Sequence, residues 1–313
     1  TPRKLPSFGT IDLPDSEVKL LAYLLAEGHL SNGFILFSNQ DKKIMCDFSS
    51  ALHEFDSTLE LRTHGAGTVR VISPKTRRKI ITSSRTKKGT FEKETHFDKK
   101  SSLRKYLEEL GLYGFKAIHR KIPDCVFTLP KHKLSLFLNR LFSCDGTIYF
   151  DTNKNSWIIS YGSASKELIF QVQQLLLKYG FISRVRTKIN DAFTNYEIQL
   201  ASDHVHSFLQ EIGFFGNKST RQEKALLSTT TRNPNKDTIP KEVWNSYRPK
   251  NWVDVGRELG YKTPKAARSS INYSPSRQKM MCVARADGSV EIEQLATSDI
   301  FWDEIVDIVE LDG

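Results

Sequence analysis

Leu20-Leu21-Ala22-Tyr23-Leu24-Leu25-Ala26-Glu27-Gly28 has a counterpart further along the chain, Leu138-Asn139-Arg140-Leu141-Phe142-Ser143-Cys144-Asp145-Gly146. Each is an apolar helical stretch carrying small residues (Ala22, Ala26, Ser143), then one acid, then Gly, then a strand-like run. Small residues on a helix face let a second backbone approach closely. The two stretches are therefore expected to pack side by side and bring Glu27 and Asp145 to one end. A carboxylate at a helix C-terminus opposes the dipole by roughly 0.3–1 kcal/mol when exposed. Two that converge repel as well, unless a cation lies between them. Oxygen ligands so placed suit Mg²⁺, which uses few carboxylates and keeps its waters. One acid-Gly turn after a core helix is commonplace; two equivalent ones in a duplicated basic chain carry the functional weight.

The duplication is visible in residues. Leu107-Glu108-Glu109-Leu110-Gly111-Leu112-Tyr113-Gly114-Phe115-Lys116 aligns without gaps on Leu209-Gln210-Glu211-Ile212-Gly213-Phe214-Phe215-Gly216-Asn217-Lys218. Both read L-x-E-[LI]-G-[LF]-[YF]-G-x-K, and a pseudo-twofold arrangement is the natural packing of such a repeat. Periodicity predicts α-β-β-α-β-β-α twice. The first copy has a helix from about Ser16 (its N-cap) to Gly28, strands at 34–37 and 44–48, a helix around 50–61, basic strands at 68–72 and 79–82, and a helix at 101–110. The second has a helix from Lys131 to about Ser143, strands at 147–150 and 157–161, a helix at 164–179, strands at 182–189 and 196–200, and a helix at 203–212. Such grouping indicates α+β units rather than parallel winding.

The 313 residues, 39% hydrophobic and 26% charged, describe a globular chain of two or three packed units. No apolar run reaches the ~20 residues that span a bilayer, and Thr1-Pro2-Arg3-Lys4 opens nothing resembling a signal peptide. Cys46, Cys125, Cys144 and Cys282 share no metal-binding or disulfide spacing, so a reducing cytoplasm is expected. The net charge of +10 is unevenly distributed. Residues 61–91 contain no acid, but Arg62, Arg70, Lys75, Arg77, Arg78, Lys79, Arg85, Lys87 and Lys88. Basic side chains on one sheet face suit phosphate contacts and groove reading. Residues 287–313 hold nine acids and no Lys or Arg, leaving 46 basic against 27 acidic residues, or +19, over 1–286.

The paired segments resemble the signature helices of LAGLIDADG homing endonucleases, in the form carried by inteins. Aligned on the terminal glycine, Glu27 and Asp145 fall at the family's metal-binding acids, and the resemblance assigns the metal to these two with the adjoining Gly28 and Gly146. It also implies supporting lysines: Lys121 in Lys121-Ile122-Pro123 and, in the second copy, Lys218, with Lys224 competing. Both chain ends resemble the junctions at which an endonuclease is inserted into an intein of the bacterial replicative helicase DnaB. A nucleophilic Cys or Ser opening a splicing block, a T-x-x-H block and a terminal His-Asn are missing, so splicing by this chain alone is not expected.

Residues 231–286 repeat neither half. A short helix at 252–259, a turn at Gly260-Tyr261, a second helix at 264–271 with Thr263 as N-cap, and a third that Ser274 could cap follow helix-turn-helix logic, with Lys262, Lys265 and Arg268 on or beside the recognition helix. A small helical bundle without that role is the plainer alternative.

The resulting expectation is an α+β chain of tandem αββαββα units forming a pseudo-twofold DNA-binding saddle, plus a helix-turn-helix-like module. Its divisions are a lead-in (1–15), first unit (16–130), second unit (131–230), helical module (231–286) and acidic tail resembling intein scaffold (287–313). The resemblance implies a monomeric endodeoxyribonuclease with two or three Mg²⁺ ions, which Mn²⁺ or Ca²⁺ can replace, at the paired helices. It would cut double-stranded DNA at an intein-free DnaB gene site, leaving 3′ overhangs, without a membrane or protein partner. DNA contacts are expected from Arg70, Lys75, Arg77, Arg78, Lys79, Arg85 and Lys87 in the first copy, Arg184, Arg186 and Lys188 in the second, and Lys262, Lys265 and Arg268. The competing class is a DNA-binding repressor or RNA maturase on the same fold.

Overall fold

A computed structural model describes residues 7–31, 34–73, 78–85, 91–97, 100–190, 193–228 and 237–302, with backbone only at 31, 78–85, 91–97, 190 and 193. The first unit runs α1 (Asp15–Glu27), β1 (Gly28–Ser31), β2 (Phe34–Ser38), α2 (Lys42–Phe55), β3 (Glu60–Gly65), β4 (Thr68–Ile72), β5 (Arg78–Arg85), β6 (Phe91–Phe97), α3 (Ser102–Glu109) and a short α4 (Asp124–Phe127). The second comprises α5 (Lys131–Asp145), β7 (Gly146–Asp151), β8 (Ser156–Ser163), α6 (Lys166–Lys178), β9 (Ser183–Asn190), β10 (Phe193–Leu200), α7 (Val205–Glu211) and α8 (Ser219–Leu227). Each unit folds an antiparallel four-stranded sheet with the same strand order, β1-β2-β4-β3 and β7-β8-β10-β9, while β5 and β6 pair in a separate hairpin.

The equivalence extends to single residues. Gly28 pairs with Phe37 and Gly146 with Tyr161, so each signature helix passes directly into the edge strand of its sheet. Both glycines are extended rather than left-handed. A Cβ on Gly28 would lie 2.4 Å from the Leu24 carbonyl oxygen, and one on Gly146 2.5 Å from that of Phe142. Close approach therefore requires glycine at both positions. The repeated Gly111/Gly213 and Gly114/Gly216 pairs share positive φ.

Helices α1 and α5 pack against each other between the sheets. Val18 and every residue from Leu20 to Ala26 are buried, as expected of a helix enclosed on all sides. A single apolar core runs from Val18 to Ala225 through both units. One polar cluster crosses it: Asp47 on α2 accepts from Lys19 Nζ (2.8 Å), Tyr23 Oη (2.7 Å) and, from the other unit, Arg140 Nε (2.7 Å). Arg140 also lies over the Phe215 ring, 4.1 Å from its centroid.

Several sequence expectations change. Residues 44–48 are helix, not strand, and the helix expected at 50–61 is α2, ending at Phe55. Its buried residues Ile44, Phe48, Ala51 and Leu52 recur at helical spacing, and Asp41 caps it by accepting from Lys43 N. Ser16 does not cap α1: Pro14 occupies that position and Ser16 is buried in the first turn.

Beyond the second unit lie α9 (Val243–Ser246), α10 (Trp252–Glu258), a 3₁₀ stretch Pro264–Asn272, α11 (Arg277–Asp287) and α12 (Val290–Thr297). The second helix of the expected helix-turn-helix is thus 3₁₀. Its buried residues, Ala267 and Ser270, stand three apart, the spacing a three-residue turn aligns on one face. Thr263 makes no side-chain cap, and Ser276 rather than Ser274 caps α11. A separate core of Ile239, Trp244, Val255, Ala267, Met280, Val283, Ala284, Ile292 and Ala296 holds this region. It includes α12, which belongs to the acidic segment. Among the described residues no helix is long and apolar enough to cross a membrane.

Candidate active site

Glu27 is the last residue of α1 and Asp145 the last of α5. Burial raises the pKa of both carboxyls above the ordinary range. For Glu27, an Asn39 hydrogen bond and the charge of Lys218 oppose the rise, while Asp145 adds to it. For Asp145 the opposing charges are Lys218 and Arg120. Asn39 Nδ2 donates to Glu27 Oε2 at 2.7 Å and lies 3.9 Å from Cys144 Sγ. Burial also drives the Cys144 thiol far up, so it remains a neutral neighbour.

Each acid-bearing helix end is covered by a cation. Lys218 Nζ donates to the carbonyls of Ser143 (2.6 Å), Cys144 (2.6 Å) and Phe142 (3.3 Å) at the end of α5. Arg120 donates to the carbonyls of Leu25 (2.9 Å), Ala26 (2.7 Å) and Gly28 around the end of α1. Of these, the Phe142 carbonyl also accepts from Gly146 N at the cap and Gly28 already belongs to β1; the others lie in the last turns, where helix carbonyls lack a following N–H, and a cation there also complements the dipole. Desolvation lowers the pKa of both bases, Lys218 against the pull of the nearby acids. Two open cavities flank the helix pair. One, of about 490 Å³, is lined by Glu27, Asn39, Asp41, Cys144 and Lys218. The other, of about 400 Å³, is lined by Asp145, Arg120, Lys188, Tyr196 and Glu197.

Arg120 was not singled out by the sequence. The repeat offset pairs Lys116 with Lys218, but Lys116 is exposed. The reason lies in the connectors: Lys218 ends the 3₁₀ turn Gly216–Lys218, whereas the corresponding turn in the first unit comes later, at Ala117–His119, and Arg120 follows it. Lys121 is exposed and, among the described residues, makes no side-chain hydrogen bond or ion pair. Lys224 is exposed on α8.

The remaining sequence candidates are dispersed. Arg184, Arg186 and Lys188 alternate along β9 and are all exposed, with Lys188 3.0 Å from Glu197. Arg70 on β4 stacks over Phe34 at 4.0 Å. Arg78, Lys79 and Arg85 lie on β5, while Lys75, Arg77 and Lys87 lie outside the described residues. Lys262, Lys265 and Arg268 are exposed in and before the 3₁₀ stretch. Gly28 and Gly146 form the helix-to-strand junctions beside the acids.

Among the described residues no cluster of three or more His, Cys, Asp or Glu side chains is placed to hold an ion. What the helix ends offer is two carboxylates whose mutual repulsion and burial a cation would relieve. That set fits a hard divalent ion retaining most of its waters, and not a softer ion needing His or Cys ligands.

Comparison with known proteins places these features in context. Residues 133–213 match the family model of the LAGLIDADG-like domain. The replicative DNA helicase DnaB of Synechocystis is 31% identical over 229 residues, 69% of this chain and 26% of that protein. DnaB of Rhodothermus marinus is 26% identical over 328 aligned positions, 100% of this chain and 33% of that protein. This chain therefore spans no more than about a third of these relatives' lengths. Among solved structures, the homing endonuclease I-DmoI in complex with DNA and Mn aligns with a TM-score of 0.41 at 11% identity, covering 64% of this chain and 96% of that one. Residues 133–213 form a LAGLIDADG-like domain, and the chain's mixed α/β architecture of two matching four-stranded antiparallel sheets is LAGLIDADG-like.

Proposed function

We propose that the protein is a metal-dependent DNA endonuclease that cuts both strands of a specific duplex, and that Glu27 and Asp145 hold its divalent ions. The observation carrying this reading is the pair of partly desolvated carboxylates at the ends of two packed equivalent helices, each end covered by a cation. A bound divalent cation would supply Lewis-acid activation of water and charge stabilisation at the scissile phosphate. The chain's own groups do the rest. Asn39 fixes the Glu27 carboxylate through its amide. Lys218 and Arg120 place positive charge beside the acids and can offset charge building on phosphate. The exposed β9 bases Arg184, Arg186 and Lys188 and, in the first unit, the basic residues of β4 and β5 hold backbone phosphates, and neighbouring strand side chains read bases. The exposed Lys262, Lys265 and Arg268 add phosphate contacts.

The alignment with DnaB proteins supports a DnaB gene site lacking the insertion as the target. Incubating the protein with a plasmid carrying that site, with Mg²⁺ or with EDTA, tests the reading. Metal-dependent linearisation with 3′ overhangs is expected. Binding without cutting would favour a repressor or maturase role, and no binding at moderate salt would remove both.

A further inference from the structure

The residues capping the second helix of each unit hold more than that helix. Asp41 caps α2: its Oδ1 accepts from Lys43 N at 2.9 Å. Its Oδ2 accepts from the backbone N–H of Asn217, in the other unit and immediately before Lys218. The fit is close. Gly216 has φ +72, and a Cβ there would stand 2.3 Å from Asp41 Oδ2. Ser165 is the equivalent cap of α6: its Oγ accepts from Leu168 N at 3.1 Å and donates to the carbonyl of Arg120, in the other unit, at 2.6 Å. Ile122 N, donating to Gln171 Oε1 at 2.6 Å, fastens the same connector to α6. The turns before the caps also correspond: Asn39 Oδ1 accepts from Asp41 N, and Ser163 Oγ from Ser165 N.

We infer that Asp41 and Ser165 are positioning residues forming two reciprocal latches, through which each unit sets the basic group, Lys218 or Arg120, carried by the other. Each basic group is held on carbonyls of its own unit, and the connector that carries it is fastened in addition by the twin. Because Lys218 lines the Glu27 cavity and Arg120 the Asp145 cavity, each latch governs one cavity. The inference rests on the endonuclease reading for its catalytic consequence, and on geometry alone for the latch.

Two measurements separate these parts. Asp41→Ser keeps a capping oxygen for α2 but cannot also reach Asn217. Hydrogen–deuterium exchange of the peptide covering 213–219 should be slow in the wild type and faster in Asp41→Ser, with the α2 peptide unchanged. Equal exchange in both proteins would overturn the latch irrespective of any activity. The second measurement uses the duplex carrying the insertion-free DnaB site, with each strand end-labelled. Under single turnover with Mg²⁺, Asp41→Ser should slow cutting of one strand, and Ser165→Ala the other, by about ten- to a hundredfold. Binding measured in EDTA should stay within about twofold of wild type, since neither residue is a phosphate contact. Equal slowing of both strands by either variant, or no slowing, would overturn the positioning role. Failure of the wild type to cut either strand would instead overturn the endonuclease reading, and the exchange experiment would still decide the latch.

Discussion

At the residue scale, the acids that make the site useful also strain it. Asp145 and Glu27 have raised pKa values, largely through burial, so their ionisation opposes folding once the pH passes their ordinary range. In linkage terms, a carboxyl with a folded-state pKa above its unfolded value costs stability as the pH rises through that interval. Asp145→Asn should therefore raise the melting temperature near neutral pH in EDTA, while reducing Mg²⁺-dependent cutting by at least ~10²-fold and leaving duplex binding in place. Calorimetry and a cleavage assay on one preparation check both halves. Arg120 and Lys121 provide a sharper comparison. Arg120→Ala removes hydrogen bonds to three carbonyls and should cost about 2 kcal/mol as well as activity. Lys121→Ala should leave stability within about 0.5 kcal/mol of wild type, as at an ordinary exposed position. Urea titration of the two variants distinguishes them. The acids were legible in sequence because a helix, an acid and a glycine recur together. Arg120 was not, since the connector after Gly114 is longer than that after Gly216 and displaces the basic residue from the repeat register.

At the scale of elements, α2 shows where pattern reading misleads. Ile44-Met45-Cys46-Asp47-Phe48 mixes apolar and polar residues closely enough to pass for an edge strand. The cap at Asp41 and the buried ladder Ile44, Phe48, Ala51, Leu52 settle it as helix. The helix then carries Asp47 into the interface. Burial opposes ionisation of Asp47, yet hydrogen bonds from Lys19, Arg140 and Tyr23 keep its pKa below the ordinary range. Such a group contributes stability above its unfolded pKa that is lost as the pH falls through the lower folded one. Asp47→Ala should cost about 3 kcal/mol at pH 7 by leaving Arg140 and Lys19 without their partner. It should also remove the corresponding part of the acid-unfolding curve. Gly216→Ala forces a left-handed alanine against the Asp41 carboxylate, with an expected cost of about 2 kcal/mol. Thermal melts at matched pH test both variants.

At the scale of the whole molecule, the apolar clusters among the described residues fall into two groups without a shared residue, one from Val18 to Ala225 and one from Ile239 to Ala296. A chain ending at Ser228 should therefore keep a single cooperative unfolding transition, and weaken duplex binding only by the contacts that Lys262, Lys265 and Arg268 contribute. Circular dichroism melts and a salt titration of binding check these outcomes. The uneven charge suggested a different boundary: the acid-rich segment from 287 supplies α12 to the second core and so packs with the basic helical segment before it. The second sheet was legible from alternation, and the first only at β2 and β4, since 44–48 is helix and 79–82 lies in the separate hairpin; the 3₁₀ stretch was not, because i/i+3 burial over nine residues resembles an amphipathic α-helix in sequence.

The Asp47–Arg140 pair has a further consequence, which concerns assembly. Aligned on the terminal glycines, the first unit has Ala22 where the second has Arg140; aligned on the helix caps, the second has Gln171 where the first has Asp47. Two copies of the first unit would enclose carboxylates without a guanidinium, and two copies of the second would enclose guanidinium groups without a carboxylate. Either symmetric pairing would therefore lack the Asp47–Arg140 ion pair, which only the two unlike units supply together. Cut between the units, the protein should reassemble only as one of each.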